Sequence, residues 1–125
     1  MLSVADVARS VEWYRRVLGM RPQTFGGNRT ALLFGAPGEE QKINLHPAGN
    51  ECPPHAAAPT TGSADLCLRI DGPLQQAMAQ LTAAGEEIIE GPVQRTGARG
   101  PIRSIYLRDP DGNLIELAEE LASEG

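Results

Sequence analysis

The chain has 125 residues, 41% of them hydrophobic and 22% charged, which is the length and composition of one folded, water-facing domain. Eleven Lys and Arg against sixteen Asp and Glu leave a net charge of −5, with neither the basic stripe of a nucleic-acid binder nor an apolar run of membrane-spanning length. The N-terminus lacks the basic-then-apolar order of a secretory signal, so the expected location is the cytoplasm.

In chain order, Leu2–Val4 reads as a very short strand. Asp6 follows as an N-cap, and Val7, Val11, Tyr14, Val17 and Leu18 recur at helical spacing until Gly19 supplies a left-handed stop. Strand-like runs follow at Arg21–Phe25, Thr30–Phe34 and Lys42–His46. The second half repeats the plan, with a strand over Ala64–Ile70 and Pro73 in a first helical turn. Leu74, Ala77, Met78 and Leu81 form its stripe, and Gly85 ends it. A weak strand at Glu86–Ile89 and stronger ones at Ile102–Leu107 and Asn113–Leu117 complete it. Between the halves runs PAGNECPPHAAAPTTG, whose Pro, Gly and Ala content predicts an irregular crossing. Asp109-Pro110-Asp111-Gly112-Asn113 is the sharpest turn signal in the chain. The expected class is α+β: one domain over 1–125, with similar modules at about 1–46 and 63–121 and a linker at 47–62.

Cys52 and Cys67 do not make a disulfide scaffold; Cys67 falls in an apolar strand pattern where a free cysteine packs. Cys52-Pro-Pro-His55 has a spacing that hints at metal, but a single pair in a Pro/Ala-rich loop is a slight signal. Alternation along the strands says more. Ile43 and Leu45 take one face while Lys42, Asn44 and His46 take the other. Leu66 and Leu68 oppose Asp65, Cys67 and Arg69, and Ile115 and Leu117 oppose Glu116. Should those polar faces converge, His46, Asp65 and Glu116 would make an imidazole–dicarboxylate set for a divalent metal; otherwise the faces simply meet solvent.

The stretches Val4-x-Asp6 and Ser10-Val11-x-Trp13-Tyr14-Arg15-x-Val17-Leu18-Gly19-Met20 resemble the first half of the vicinal-oxygen-chelate superfamily. Its members include glyoxalase I, fosfomycin- and bleomycin-resistance proteins and extradiol dioxygenases. Arg108-Asp109-Pro110-Asp111-Gly112-Asn113-Leu114-Ile115-Glu116-Leu117 resembles its C-terminal signature, and QKINLHP, GSADLC and RTGARGPIRSIYLRDPDGNLIEL are similar to a single-domain glyoxalase-like subgroup often called virulence proteins. The resemblance implies paired βαβββ modules whose eight strands curl around a shared cleft, and a homodimer. It implies a divalent metal (Zn, Ni, Mn or Fe) on His46, Asp65 and Glu116, although Asp65 stands where a histidine is more usual. A first-strand ligand would fall ahead of Met1. On this reading the first strand is truncated, and the metal is weakened or absent in the chain as numbered.

The chemistry so implied is lyase or isomerase conversion of a small oxygenated substrate, of lactoylglutathione lyase type, with Glu116 as ligand and base. Arg99 and Arg103 would bind an anionic group, and Tyr106 would hydrogen-bond the substrate. The alternatives are a metal-free protein that sequesters a small molecule or antibiotic, an Fe-dependent extradiol-type dioxygenase, and an interaction module that uses its dimer alone.

Overall fold

The computed structural model describes residues 1–27 and 29–121; Asn28 and residues 122–125 lie outside the description. The elements run β1 (Leu2–Val4), α1 (Val7–Leu18), β2 (Arg21–Phe25), β3 (Arg29–Phe34), β4 (Gln41–Pro47), β5 (Asp65–Arg69), α2 (Leu74–Ala83), β6 (Glu90–Gly97), β7 (Gly100–Arg108) and β8 (Leu114–Glu120). The strands divide into two mixed four-stranded sheets, ordered β1-β4-β3-β2 and β5-β8-β7-β6. In each, the first strand pairs parallel with the last and the other pairings are antiparallel. This is the expected βαβββ plan, twice.

The chain forms two compact units. The first is Met1–Ala64 together with Asp109–Asn113; the second holds Asp65–Arg108 and β8. The turn between β7 and β8 therefore belongs with the first unit, although its flanking strands lie in the second.

In the first unit, Asp6 caps α1 by accepting the Arg9 N–H, and Gly19 closes it at φ 69°. The apolar stripe brings Trp13 and Tyr14 onto the face of the sheet that carries Leu2, Val4, Leu32 and Leu45, all buried. Each such side chain contributes roughly 1.5–3 kcal/mol by leaving water.

The displaced turn fits this core through its acids. Asp109, 5% exposed, accepts from the Tyr14 hydroxyl (2.5 Å), the Asn113 side-chain amide (2.8 Å) and the backbone N–H groups of Asp111 and Asn113 (2.9 Å each). Asp111 accepts from the Ala5 N–H (2.9 Å) and the Ser10 hydroxyl (3.3 Å), which bonds the turn to the start of α1. Asn113 in turn accepts the Ala64 N–H at 2.9 Å. Burial, and then the bond to Asp109, push the Tyr14 phenol above its ordinary range.

In the second unit, α2 packs against β8, and Leu74 and Leu81 are buried with Ile105, Leu107, Ile115 and Leu117. One strand differs from expectation. The third strand of this half is Glu90–Gly97, not Glu86–Ile89. Its residues are mostly exposed and Val93 is its one aliphatic side chain, so it carries no apolar alternation to detect. It holds its place as an edge strand hydrogen-bonded to β7, with Pro92 in the register irregularity between Glu90 and Val93. Among the described residues no helix is long and apolar enough to cross a membrane.

Candidate functional site

Strand register decides which polar side chains of the second unit share a face. Cys67 pairs with Glu116, Glu116 with Tyr106, and Ser104 with Ala118. Counting in twos puts Asp65, Cys67 and Arg69 of β5 on the same side as Glu116 of β8 and Ser104 and Tyr106 of β7. The other side carries the apolar residues beneath α2. Glu116 thus sits in the middle of a polar sheet face, as alternation predicts. Cys67 is exposed on that face rather than packed in the core.

The Glu116 carboxylate is half-buried, and its Oε2 accepts a 2.6 Å hydrogen bond from the fully buried Ser104 hydroxyl. A bond of that length to a carboxylate is charge-assisted and fixes its orientation. Burial first, and then the charge of Glu116, push the Cys67 thiol up, so it is a protonated neighbour rather than a thiolate nucleophile.

Glu116 lines a cavity of 420 Å³, together with Cys67, Arg69, Arg99, Ile102 and Glu120. Arg69 is tied to Glu120 at 3.2 Å. Arg99 comes from the Gly97–Gly100 connection between β6 and β7, which closes the same cavity. The site therefore offers the Ser104-held carboxylate of Glu116, the Arg69–Glu120 ion pair and the Arg99 side chain around a space for a small molecule.

The other expected residues are less alike. Arg103 lies on the opposite face of β7 from Glu116 and does not line the cavity. Tyr106 faces the same way as Glu116, but its hydroxyl accepts from Arg95 Nε (3.2 Å), whose guanidinium also lies 5.8 Å from the ring centroid. Arg95 reaches on to Glu90 at 3.3 Å. Arg95 is the neighbour that sequence reasoning passes over; alternation puts Ser104 on the face of Tyr106 without showing its bond to Glu116.

Asp65 is exposed, one pairing row along the sheet face from the Cys67–Glu116 row. His46 lies in the first unit on β4, 8% exposed, opposite Ser3. Its Nδ1 accepts the Cys52 N–H at 3.0 Å. Burial holds its imidazole below the usual pKa, so the ring is neutral. A neutral ring whose Nδ1 accepts carries its proton on Nε2. That leaves neither nitrogen with a free lone pair for a cation. Among the described residues no group of three or more His, Cys, Asp and Glu side chains is arranged to hold a metal ion. His46 belongs to the first unit and Asp65 and Glu116 to the second. His55, the other half of the Cys52–His55 pair, is exposed and bonds through Nδ1 to the Ala56 carbonyl (2.7 Å).

Comparison with known proteins agrees with this architecture. Residues 1–117 match the model of a family described as the Glyoxalase/Bleomycin resistance protein/Dioxygenase superfamily. The chain is 50% identical over 119 residues to virulence protein STM3117 of Salmonella typhimurium, covering 95% of this chain and 80% of that one. The crystal structure of STM3117 superposes with a TM-score of 0.90 at 49% identity, over 96% of this chain and 92% of that chain. A glyoxalase domain-containing protein of Mycosarcoma maydis, RDO1, is 48% identical over 118 residues; the match covers 94% of this chain and 64% of the fungal protein. Two more distant structures share the fold alone. They are a lactoylglutathione lyase from Agrobacterium tumefaciens (19% identity, TM-score 0.66, 94% and 88% of the two chains) and TnmS3, an antibiotic binding protein from Streptomyces (24%, 0.70, 96% and 91%).

Proposed function

Since the chain belongs to the glyoxalase/bleomycin resistance protein/dioxygenase superfamily, we propose that it acts as a lyase or isomerase on a small, oxygenated, anionic substrate held in the cavity beside Glu116. The observation that carries this reading is the Ser104–Glu116 bond at the cavity wall. A carboxylate held in one orientation, partly open and sharing its cavity with the Arg99 guanidinium, suits a proton transfer next to a bound anion. In that role Glu116 takes the proton from a hydroxyl-bearing carbon beside a substrate carbonyl and returns it to the former carbonyl carbon, while the hydroxyl proton passes to the former carbonyl oxygen and the first carbon becomes the new carbonyl. Arg99 holds the anionic end. Metal-dependent, lactoylglutathione-lyase-type chemistry belongs to the family expectation.

A second reading is a metal-free protein that sequesters a small molecule; TnmS3 is by its name an antibiotic binding protein. A homodimer in the cytoplasm completes the proposal, and light scattering of the purified chain tests the dimer.

Turnover separates the two readings. The full chain is incubated with the hemithioacetal of methylglyoxal and glutathione, with and without added Zn, Ni, Mn or Fe, and thioester formation is followed by ultraviolet absorbance. The enzyme reading expects turnover that Glu116→Gln abolishes and for which Arg99→Ala raises KM about tenfold, the loss of one charge-assisted contact. Saturable binding without turnover under every condition leaves the sequestering reading standing and ends the other for this substrate.

A further inference from the structure

Strand pairing gives the cavity beside Glu116 a direction. Its floor on β8 runs from Glu116 through Ala118 to Glu120, and all three residues line it. Four residues of strand at about 3.3 Å each make a length of roughly 13 Å. The neighbouring strand keeps the same order. Tyr106 lies opposite Glu116, Ser104 opposite Ala118 and Ile102 opposite Glu120, so β7 meets its hairpin at the Glu120 end. There the Leu121 N–H donates to the Pro101 carbonyl at 3.0 Å, and Gly97 pairs with Gly100 across the turn that holds Ala98 and Arg99. Arg99 therefore enters the cavity from the end opposite Glu116.

The two ends differ in chemistry from the middle. At one, Ser104 holds the half-buried Glu116 carboxylate. At the other, Glu120 neutralises Arg69 at 3.2 Å, while Arg99 has no ion pair among the described residues. Between them the wall made by β7 and β8 is apolar, with Ala118 3% and Ile102 7% exposed. Gly97 leaves room for Ile102, since a Cβ there would stand 2.6 Å from its Cγ2. A compact anion cannot touch both ends of such a slot, and at Glu116 its charge would meet a carboxylate of the same sign.

We propose that this cavity selects elongated acids, with the carboxylate at Arg99, an apolar chain over Ala118 and Ile102, and the hydroxyl-carbonyl unit at Glu116. The inference rests on the reading of Glu116 as the acting group. It adds the spacing between the reacting carbon and the charge, and it makes Ala118 and Ile102 the residues that determine specificity.

Binding measured without turnover tests the spacing. NMR titrations of the full chain follow the backbone amides of Ala118 and Arg99. The probes are acetate, butyrate, hexanoate and octanoate, and the ω-hydroxy forms of the last three. Straight-chain acids should tighten about threefold per methylene until the chain fills the slot. The ω-hydroxyl should add about tenfold only at the chain length that reaches Glu116, and Glu116→Ala should remove that gain alone. Arg99→Ala should weaken all the acids alike and keep the dependence on length. Ala118→Leu should weaken hexanoate and octanoate about tenfold and leave acetate unchanged. Affinity independent of chain length, a hydroxyl gain equal at every length, or acids that do not bind would each overturn the proposal. The length series is run on the unmutated chain, so it decides even where a variant fails to fold. Thioester formation from the hemithioacetal is a separate measurement: its absence ends the enzyme reading for that substrate, whereas the length series alone decides the spacing.

Discussion

Tyr14 shows how one side chain joins residues far apart in sequence. Its hydroxyl meets Asp109, 95 positions away, with the ring fully buried. Tyr14→Phe keeps the ring and removes the donor, leaving a buried carboxylate one partner short. A loss of about 1.5–3 kcal/mol is expected, the range for hydrogen bonds to charged groups, measured by urea unfolding. The folded phenol titrates above the unfolded one. Its contribution is therefore complete below the ordinary phenol value near 10 and lost as pH rises through the window above it. Unfolding midpoints of the native chain should fall more steeply above that pH than those of Tyr14→Phe. Ser104 plays a different part. It is enclosed, but its partner Glu116 is half-open, so Ser104→Ala leaves the carboxylate to water. Ligand affinity at the Glu116 cavity should drop about five- to tenfold, with a small change in Tm; calorimetric titration and thermal unfolding measure the two.

At the scale of elements, edge strand β6 depends on a glycine. Gly91 has φ 108°, and a Cβ there would lie 2.5 Å from the Ser104 carbonyl oxygen and 3.0 Å from Ile105 Cα. Both are backbone atoms of the neighbouring strand and cannot swing aside. Gly91→Ala should therefore cost roughly 1–3 kcal/mol or more and loosen the β6–β7 pairing, seen as faster amide exchange in β6. The α1 cap is a milder case. Asp6→Ala removes the acceptor for Arg9 N–H and should cost about 1 kcal/mol in thermal unfolding.

At the scale of the whole molecule, each compact unit is assembled from separate stretches of chain. The first needs Asp109–Asn113, which supplies acceptors to Ala5, Ser10, Tyr14 and Ala64. A fragment of residues 1–64 leaves those donors unmet, so it should show no cooperative unfolding transition by circular dichroism. In the full chain, Asp111→Ala should speed exchange of the Ala5 amide above all others in the first unit. Local chemistry determined the α1 cap and its glycine stop, both helices, seven of the strands and the face on which Glu116 lies, because period and turn residues act within a few positions. The polar edge strand β6 escaped that reasoning, since it is held by pairing with β7 and not by its own pattern. The site divides the same way. Alternation was enough to give His46, Asp65 and Glu116 their faces. The tertiary structure decided that Ser104 fixes Glu116, that Arg95 takes the Tyr106 hydroxyl, that Arg103 points away, and that Cys52 sets the His46 tautomer. Each of these is a distance between atoms on different segments, and neither spacing nor composition encodes such a distance.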